Sequence, residues 1–209
     1  MQTKNLATAL PSRLRQKHHM SAKNTVQCKV TEVTLLSPVG KIQVTGCEKG
    51  IHGIQLQADA VPAARTEMDP FACVVCDAQK EMKGQLKQCV DWIQAYFCEP
   101  QMVEKLPLPA FHHPIFQRAS FTSRVLQTLL RDVKFGETVS YKHLAEMAGN
   151  FKAVRAVGGA MRSNPVPLLV PCHRVVLSNG LVGNYMGKKG NHIKQWLLEH
   201  ERVCQEKKC

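Results

Sequence analysis

SYKHLAEMAGNFKAVRAVGGAMRSNPVPLLVPCHRVV, residues 140–176, is the stretch whose reading decides the fold of this chain. Ser140 is suited to an N-cap for a helix running through Ala148. Gly149-Asn150 makes a turn, and 152–162 forms the next helix. Two short helices joined by a tight glycine-containing turn make a helix-turn-helix candidate. The second presents Lys152, Arg155 and Arg162, while Val154, Val157 and Ala160 supply apolar contacts. Gly158-Gly159 inside it is costly by helix propensity, a cost that close approach of another backbone would justify. An apolar run then carries the chain inward, Pro171 stops it, and Cys172 follows, flanked by His173 and Arg174. The thiolate is the nucleophilic form of cysteine, and a neighbouring imidazole or cation favours it. Cys172 is therefore either a reactive sulfur at the edge of a core or a small buried hydrophobe.

Residues 30–36, 41–46 and 51–56 are short β-prone runs separated by turns at 37–40 and 48–50, an antiparallel meander. Residues 57–84 lack sustained periodicity and read as a loop. Leu86, Val90, Ile93 and Phe97 recur at helical spacing up to Glu99-Pro100. Pro107, Pro109 and Pro114 mark an extended linker. Beyond it, 116–130 reads as one helix, a β-hairpin with its turn at Ser178-Asn179-Gly180 follows Cys172, and Ile193, Trp196 and Leu197 mark a final helix. The expected class is α/β (α+β): a small N-terminal antiparallel sheet with a helix, joined to a mostly helical C-terminal domain with a winged helix-turn-helix. The expected boundaries are 1–27 for a basic disordered extension, 28–111 and 112–201 for the two domains, and 202–209 for a short tail.

The net charge of +12 is uneven. Residues 1–31 carry six basic and no acidic groups, 32–111 a net −3, and 112–209 a net +9. The Cys-His segment thus lies in a basic half suited to a polyanion such as DNA. No apolar stretch approaches the roughly 20 residues that cross a bilayer, so no membrane partner is expected. The first 31 residues lack the long apolar region of a secretory signal. Nine cysteines without secretion read as reduced thiols or metal ligands. The acid-free N-terminus has the composition of a basic arm or of an organellar transit peptide. The expected compartment is the nucleus, and the expected state a monomer.

The segment from Asn164 to Val176 resembles the active-site motif of O6-alkylguanine-DNA alkyltransferases, where Pro-Cys-His-Arg-Val surrounds the alkyl-accepting cysteine. SPVGKIQVTGCEKGIHGIQL (37–56), LPLPAFHHPIFQRASFTSRVLQTLL (106–130), VKFGETVSYKHLAEMAGNFKAVRAVGGAMRSNPVP (133–167) and WLLEHE (196–201) are similar to the vertebrate form. Roughly residues 28–201 are covered, most weakly between Gln57 and Gly84.

The resemblance implies DNA repair by direct reversal. An alkyl group passes irreversibly from O6-alkylguanine, or O4-alkylthymine, in double-stranded DNA to Cys172, once per molecule. His173 would be the base, directly or through a water, and Glu201 its orienting carboxylate, with Glu199 a local competitor. Tyr141 would serve the departing guanine and Asn164 would buttress the turn. Arg155 would fill the space left by a flipped nucleotide, in a minor-groove complex that Thr122, Val154, Arg162 and Ser178 also contact. Met161, Pro167, Val175, Val182, Tyr185 and Gly187 would line the base pocket. Three departures from relatives stand out: Val154 for Ala, Met186 for Ser, and two extra residues within 188–192.

The same resemblance assigns Cys28, Cys47, His52 and His112 to a structural zinc, with His113 as the alternative to His112. Cys73 and Cys76 are expected to be ordinary thiols. Two other functions remain open: a damage-recognition protein that flips the base without reacting, and a cysteine hydrolase built on Cys172, His173 and Glu201.

Overall fold

A computed structural model describes residues 28–63, 72–78 and 82–206. The expected N-terminal extension and residues 207–209 lie outside them. Four strands, β1 (Thr31–Ser37), β2 (Gly40–Cys47), β3 (Gly50–Leu56) and β4 (Val74–Ala78), form one antiparallel sheet in the order β3-β2-β1-β4. Alternation puts Val33, Leu35, Ile42 and Val44 on the buried face, which α1 (Gly84–Cys98) covers with Leu86, Val90, Ile93 and Phe97.

The β3 edge is closed by other parts of the chain. Ile51 N–H donates to Ala110 O and His112 N–H to Ile51 O, both at 2.8 Å. Farther along, Ile54 N–H donates to Pro165 O at 2.8 Å, so the sheet holds the segment leading to Cys172. Gly50 permits the first approach: a Cβ there would stand 2.5 Å from Ala110 O.

The C-terminal half contains α2 (Pro114–Gln117), α3 (Phe121–Asp132), β5 (Val139–Ser140), α4 (Tyr141–Met147), α5 (Val154–Arg162), β6 (Val175–Val176) and α6 (Asn191–Glu206). The helix-turn-helix is α4–α5, and Ser140 Oγ accepts from His143 N–H at 3.1 Å as its N-cap. Buried side chains from the sheet, α1, α3 and α6 form one continuous core, in which each fully buried aliphatic contributes about 1.5–3 kcal/mol.

Four local expectations are corrected. Residues 57–84 contain β4, a short strand paired with β1 across an irregular register. The helix expected over 116–130 is two helices, because Arg118 and Ser120 are extended and Ser120 Oγ caps α3 through Ser123 N–H. The turn at 178–180 forms, with Gly180 N–H donating to Leu177 O at 2.9 Å. No hairpin ladder accompanies it among the described residues, since β6 pairs in parallel with β5. Residues 202–206 are not a tail but the last turns of α6.

Candidate active site

The apolar run from Val166 to Val170, buried except at the half-buried Pro167, turns back on itself. Val170 N–H donates to Val166 O at 3.0 Å, and Leu168, fully enclosed, takes a left-handed φ of 73°. That conformation is costly for a branched side chain and persists only where its surroundings over-determine it. Asn164 supplies part of the restraint. Its Nδ2 donates to Val170 O at 2.8 Å, and its Oδ1 accepts from Val166 N–H at 3.1 Å. Cys172 to Arg174 then form a single 3-10 turn.

Cys172 is 5 % exposed, and burial pushes its thiol up from the ordinary range. Asn164, Tyr185 and the Lys194 ammonium oppose that shift. The Tyr185 hydroxyl lies 4.0 Å from Sγ. Behind the sulfur, His173 is fully buried and its Nε2 lies 2.7 Å from Glu201 Oε1. A carboxylate only accepts, so the Nε2 of a neutral His173 carries the proton and Nδ1 is left as a base. Nδ1 is buried with no hydrogen-bond partner among the described residues. Burial holds the imidazole below its usual pKa, against the pull of Glu201, which favours neutrality and thus base function.

Glu201 is held by five donors. Oε1 accepts from His173, from Tyr96 Oη at 2.8 Å and from Arg174 Nη2 at 3.1 Å. Oε2 accepts from Arg174 Nε and Gly136 N–H, both at 2.9 Å. Burial opposes its ionisation, but His173 and Arg174 overcome that and hold the carboxyl well below the ordinary carboxylate range. Glu199, the competitor, is exposed and paired with Arg202 at 2.6 Å. Geometry therefore selects Glu201.

A cavity of about 1050 Å³ opens onto Cys172. Tyr141, Met161, Asn164, Pro167, Tyr185 and Gly187 line it, and Val154, Arg162 and Ser178 contribute as well. Val175 and Val182 do not. Val175 is fully buried in β6, pointing into the core, and Val182 lies outside the lining. Ile54, Gln55 and Leu56 of β3 supply a wall that the sequence did not suggest. Arg155 is exposed on the first turn of α5, outside the cavity, and Thr122 sits on the first turn of α3, also outside it. Met186 lines the mouth with φ 46°, its side chain folded against Gly190.

Cys28, Cys47, His52 and His112 converge with all four ligand atoms within 4.8 Å of one another. Cys47 Sγ and His112 Nδ1 are 3.2 Å apart, Cys28 Sγ and His52 Nε2 3.4 Å, and the two histidine nitrogens 3.1 Å. Tetrahedral zinc with ordinary bond lengths sets edges of about 3.4 Å for N···N and 3.6 Å for N···S, so the donor set fits a metal ion of that kind. His113 is not part of it: its Nδ1 accepts from Ile115 N–H at 3.2 Å as the cap of α2. Cys73, buried, is pushed up to about 12, and Cys76 is exposed, its thiol donating to Thr34 O.

Residues 30–110 match the family described as 6-O-methylguanine DNA methyltransferase, ribonuclease-like domain, and 120–203 its DNA binding domain. The chain belongs to this methyltransferase family. The methylated-DNA–protein-cysteine methyltransferase of Mus musculus is 53 % identical over 176 residues, 84 % of this chain and 83 % of that one. The crystal structure of the Mycobacterium tuberculosis O6-methylguanine methyltransferase superposes with a TM-score of 0.60 at 29 % identity, covering 84 % of this chain and 94 % of that one. The Mycobacterium tuberculosis OGT in complex with DNA gives 0.59 at 29 %, covering 81 % and 91 %.

Three further residues of this methyltransferase site, around the His173–Glu201 pair and the sulfur, also escaped sequence reasoning. Arg174 was read only as a flanking cation. Tyr96 falls on the apolar face of α1, where spacing marks burial but not a polar tip. Lys194, fully buried, donates from Nζ to Val175 O at 2.6 Å and is held down at about 8 by burial. A lysine enclosed one helical face from the apolar Ile193 and Leu197 stripe was the available signal.

Proposed function

We propose that this protein repairs DNA by moving the alkyl group of O6-alkylguanine onto Cys172, one group per molecule. The observation that carries the reading is a buried sulfur facing a cavity large enough to admit a purine, with a His173–Glu201 pair behind it. The basic exposed face of α5 and the DNA bound by the Mycobacterium tuberculosis relative support a duplex partner. Arg155, exposed on the first turn of α5 next in sequence to the cavity-lining Val154, is suited to occupy the stack when the nucleotide swings out.

The Cys172 thiol gives its proton to His173 Nδ1, through one bridging water, and Glu201 stabilises the imidazolium that forms. Sγ attacks the alkyl carbon and the carbon–O6 bond breaks, leaving a thioether and a guanine anion. Tyr141, whose hydroxyl burial keeps protonated, donates the proton that restores neutral guanine, and its phenolate is reprotonated through solvent by the proton the imidazolium gives up. A thioether has no easy leaving path and nothing in the site cleaves it, so the reaction is stoichiometric. Cys28, Cys47, His52 and His112 would hold one zinc ion. Held there it would be structural, supplying no chemistry to the transfer, and these four residues would join β2 and β3 to the linker through it. A chromosomal substrate makes the nucleus the proposed site of action, which imaging of the tagged full-length chain tests.

Intact-mass spectrometry with a duplex containing O6-methylguanine tests the reading. The expected result is a single methyl addition on Cys172, saturating at one per chain and absent in Cys172→Ala. Tight DNA binding with no mass change would instead make this a damage-recognition protein, and repeated turnover of a small ester a hydrolase.

A further inference from the structure

The hydroxyl of Tyr96 is the only group from the N-terminal half that hydrogen-bonds the His173–Glu201 pair among the described residues. Its ring is fully buried and fixed on several sides. Trp92 stacks on it at 5.6 Å, Phe97, Phe135 and His173 meet it edge-on, and its own carbonyl accepts from His200 Nε2 at 2.8 Å. A ring held this way has one polar atom to place. It places it 2.8 Å from Glu201 Oε1 and 3.4 Å from His173 Nε2. The phenol therefore competes with the imidazole for one carboxylate oxygen.

We infer that Tyr96 is a positioning residue for alkyl transfer, acting through Glu201 to fix the orientation and temper the basicity of His173. The inference rests on the proposed transfer to Cys172. A phenol donating to Oε1 disperses its negative charge, so Glu201 pulls less on the Nε2–H and the imidazolium is less favoured. The groups facing His173 are Glu201 and Lys194 from α6, Tyr96 from α1, and Arg174 and Cys172 of its own turn. Glu201 favours the charged ring, while Arg174 and Lys194 oppose it. Loss of the hydroxyl strengthens the one attraction in that set. The imidazole becomes more basic, less of it is neutral at low pH, and the neutral form is the one that takes the Cys172 proton.

The test is the single-turnover rate of methyl transfer from duplex O6-methylguanine between pH 5.5 and 9, for wild type, Tyr96→Phe and a chain with 3-fluorotyrosine at position 96. Thermal melting and DNA affinity are measured beside it. Tyr96→Phe keeps the ring and should move the acid limb up by about half to one pH unit. Transfer would then fall roughly 3- to 10-fold below the limb and stay within about twofold above it. The fluorinated phenol, a stronger donor that keeps the packing, should move the limb the other way, and it decides the matter if Tyr96→Phe folds poorly. Superimposable profiles, or one uniform loss of rate at every pH, overturn the inference. A wild-type chain that forms no Cys172 adduct overturns the underlying function instead.

Discussion

Replacing Glu201 by Gln removes one charge from a site where five donors converge on a single carboxylate. The amide can face only one side with its oxygen. Oε1 is the richer side, with Tyr96, His173 and Arg174 Nη2, so the NH2 is driven toward Arg174 Nε–H and Gly136 N–H. Donor then meets donor twice, and the nearly buried Arg174 loses its counter-charge. Breaking a buried pair in this way costs about 3–5 kcal/mol. For a chain of this size that lowers Tm by roughly 6–20 °C. The transfer rate should fall by about 100-fold or more, because the imidazolium is no longer stabilised. The folded carboxyl lies below its unfolded value of 4.5, so its contribution is present above that pH and is lost as pH falls. The Tm gap between wild type and variant should therefore narrow from about pH 4.5 downward. Differential scanning calorimetry across pH and a single-turnover assay read both effects. Glu199→Gln, two residues away on the same helix and exposed, is the control and should change neither. A Glu201→Gln protein that melts within about 2 °C of wild type and transfers within about threefold of its rate would refute the reasoning.

Gly158→Ala should stabilise α5 by about 0.5–1 kcal/mol, since a Cβ there meets only Arg162 Nη1 at 3.9 Å. If that face approaches DNA closely, the same variant binds duplex more weakly, and melting beside a binding titration separates the two. Lys194→Met removes a buried cation whose folded pKa, about 8, lies below its unfolded value. Wild-type stability should rise with pH from about 8 toward 10.5, and the variant should lack that rise in melts at pH 7 and pH 10. It should also transfer more slowly, because the cation that favours the Cys172 thiolate is gone. Stripping metal with a chelator should lower Tm by several degrees and release one zinc per chain, read by elemental analysis, while transfer persists below the new Tm.

Where local chemistry spoke for itself, the sequence was readable. Ser140 and the glycine turn announced α4 and α5, and short β-prone runs between turns announced β1 to β3. What it concealed depended on partners distant along the chain. β4 has mostly exposed residues and no clean period, and only pairing with β1 makes it a strand. Ser120 looked like an interior position of a long helix, although the same side chain is a good cap. In the site, Cys172 and His173 are adjacent and were legible together, whereas Asn164 took its role only from the family resemblance. Glu201 needed the family resemblance to stand above Glu199, which differs from it only in facing solvent. Tyr96 lies 77 residues from His173, and nothing local distinguishes a core phenol that finds a carboxylate from one that does not. Val175 misled because its neighbour in sequence is the reactive turn, while its side chain belongs to the core.

The seclusion of Cys172 has a consequence for how the molecule is spent. Each chain is a reagent with one dose, and burial at the inner wall of the cavity keeps its sulfur as a thiol. Among the described residues, the cysteine exposed to small electrophiles and oxidants in the surrounding fluid is Cys76. The dose is thus reserved for a carbon delivered into the cavity on a purine, and the stock of intact molecules is itself the measure of repair still available.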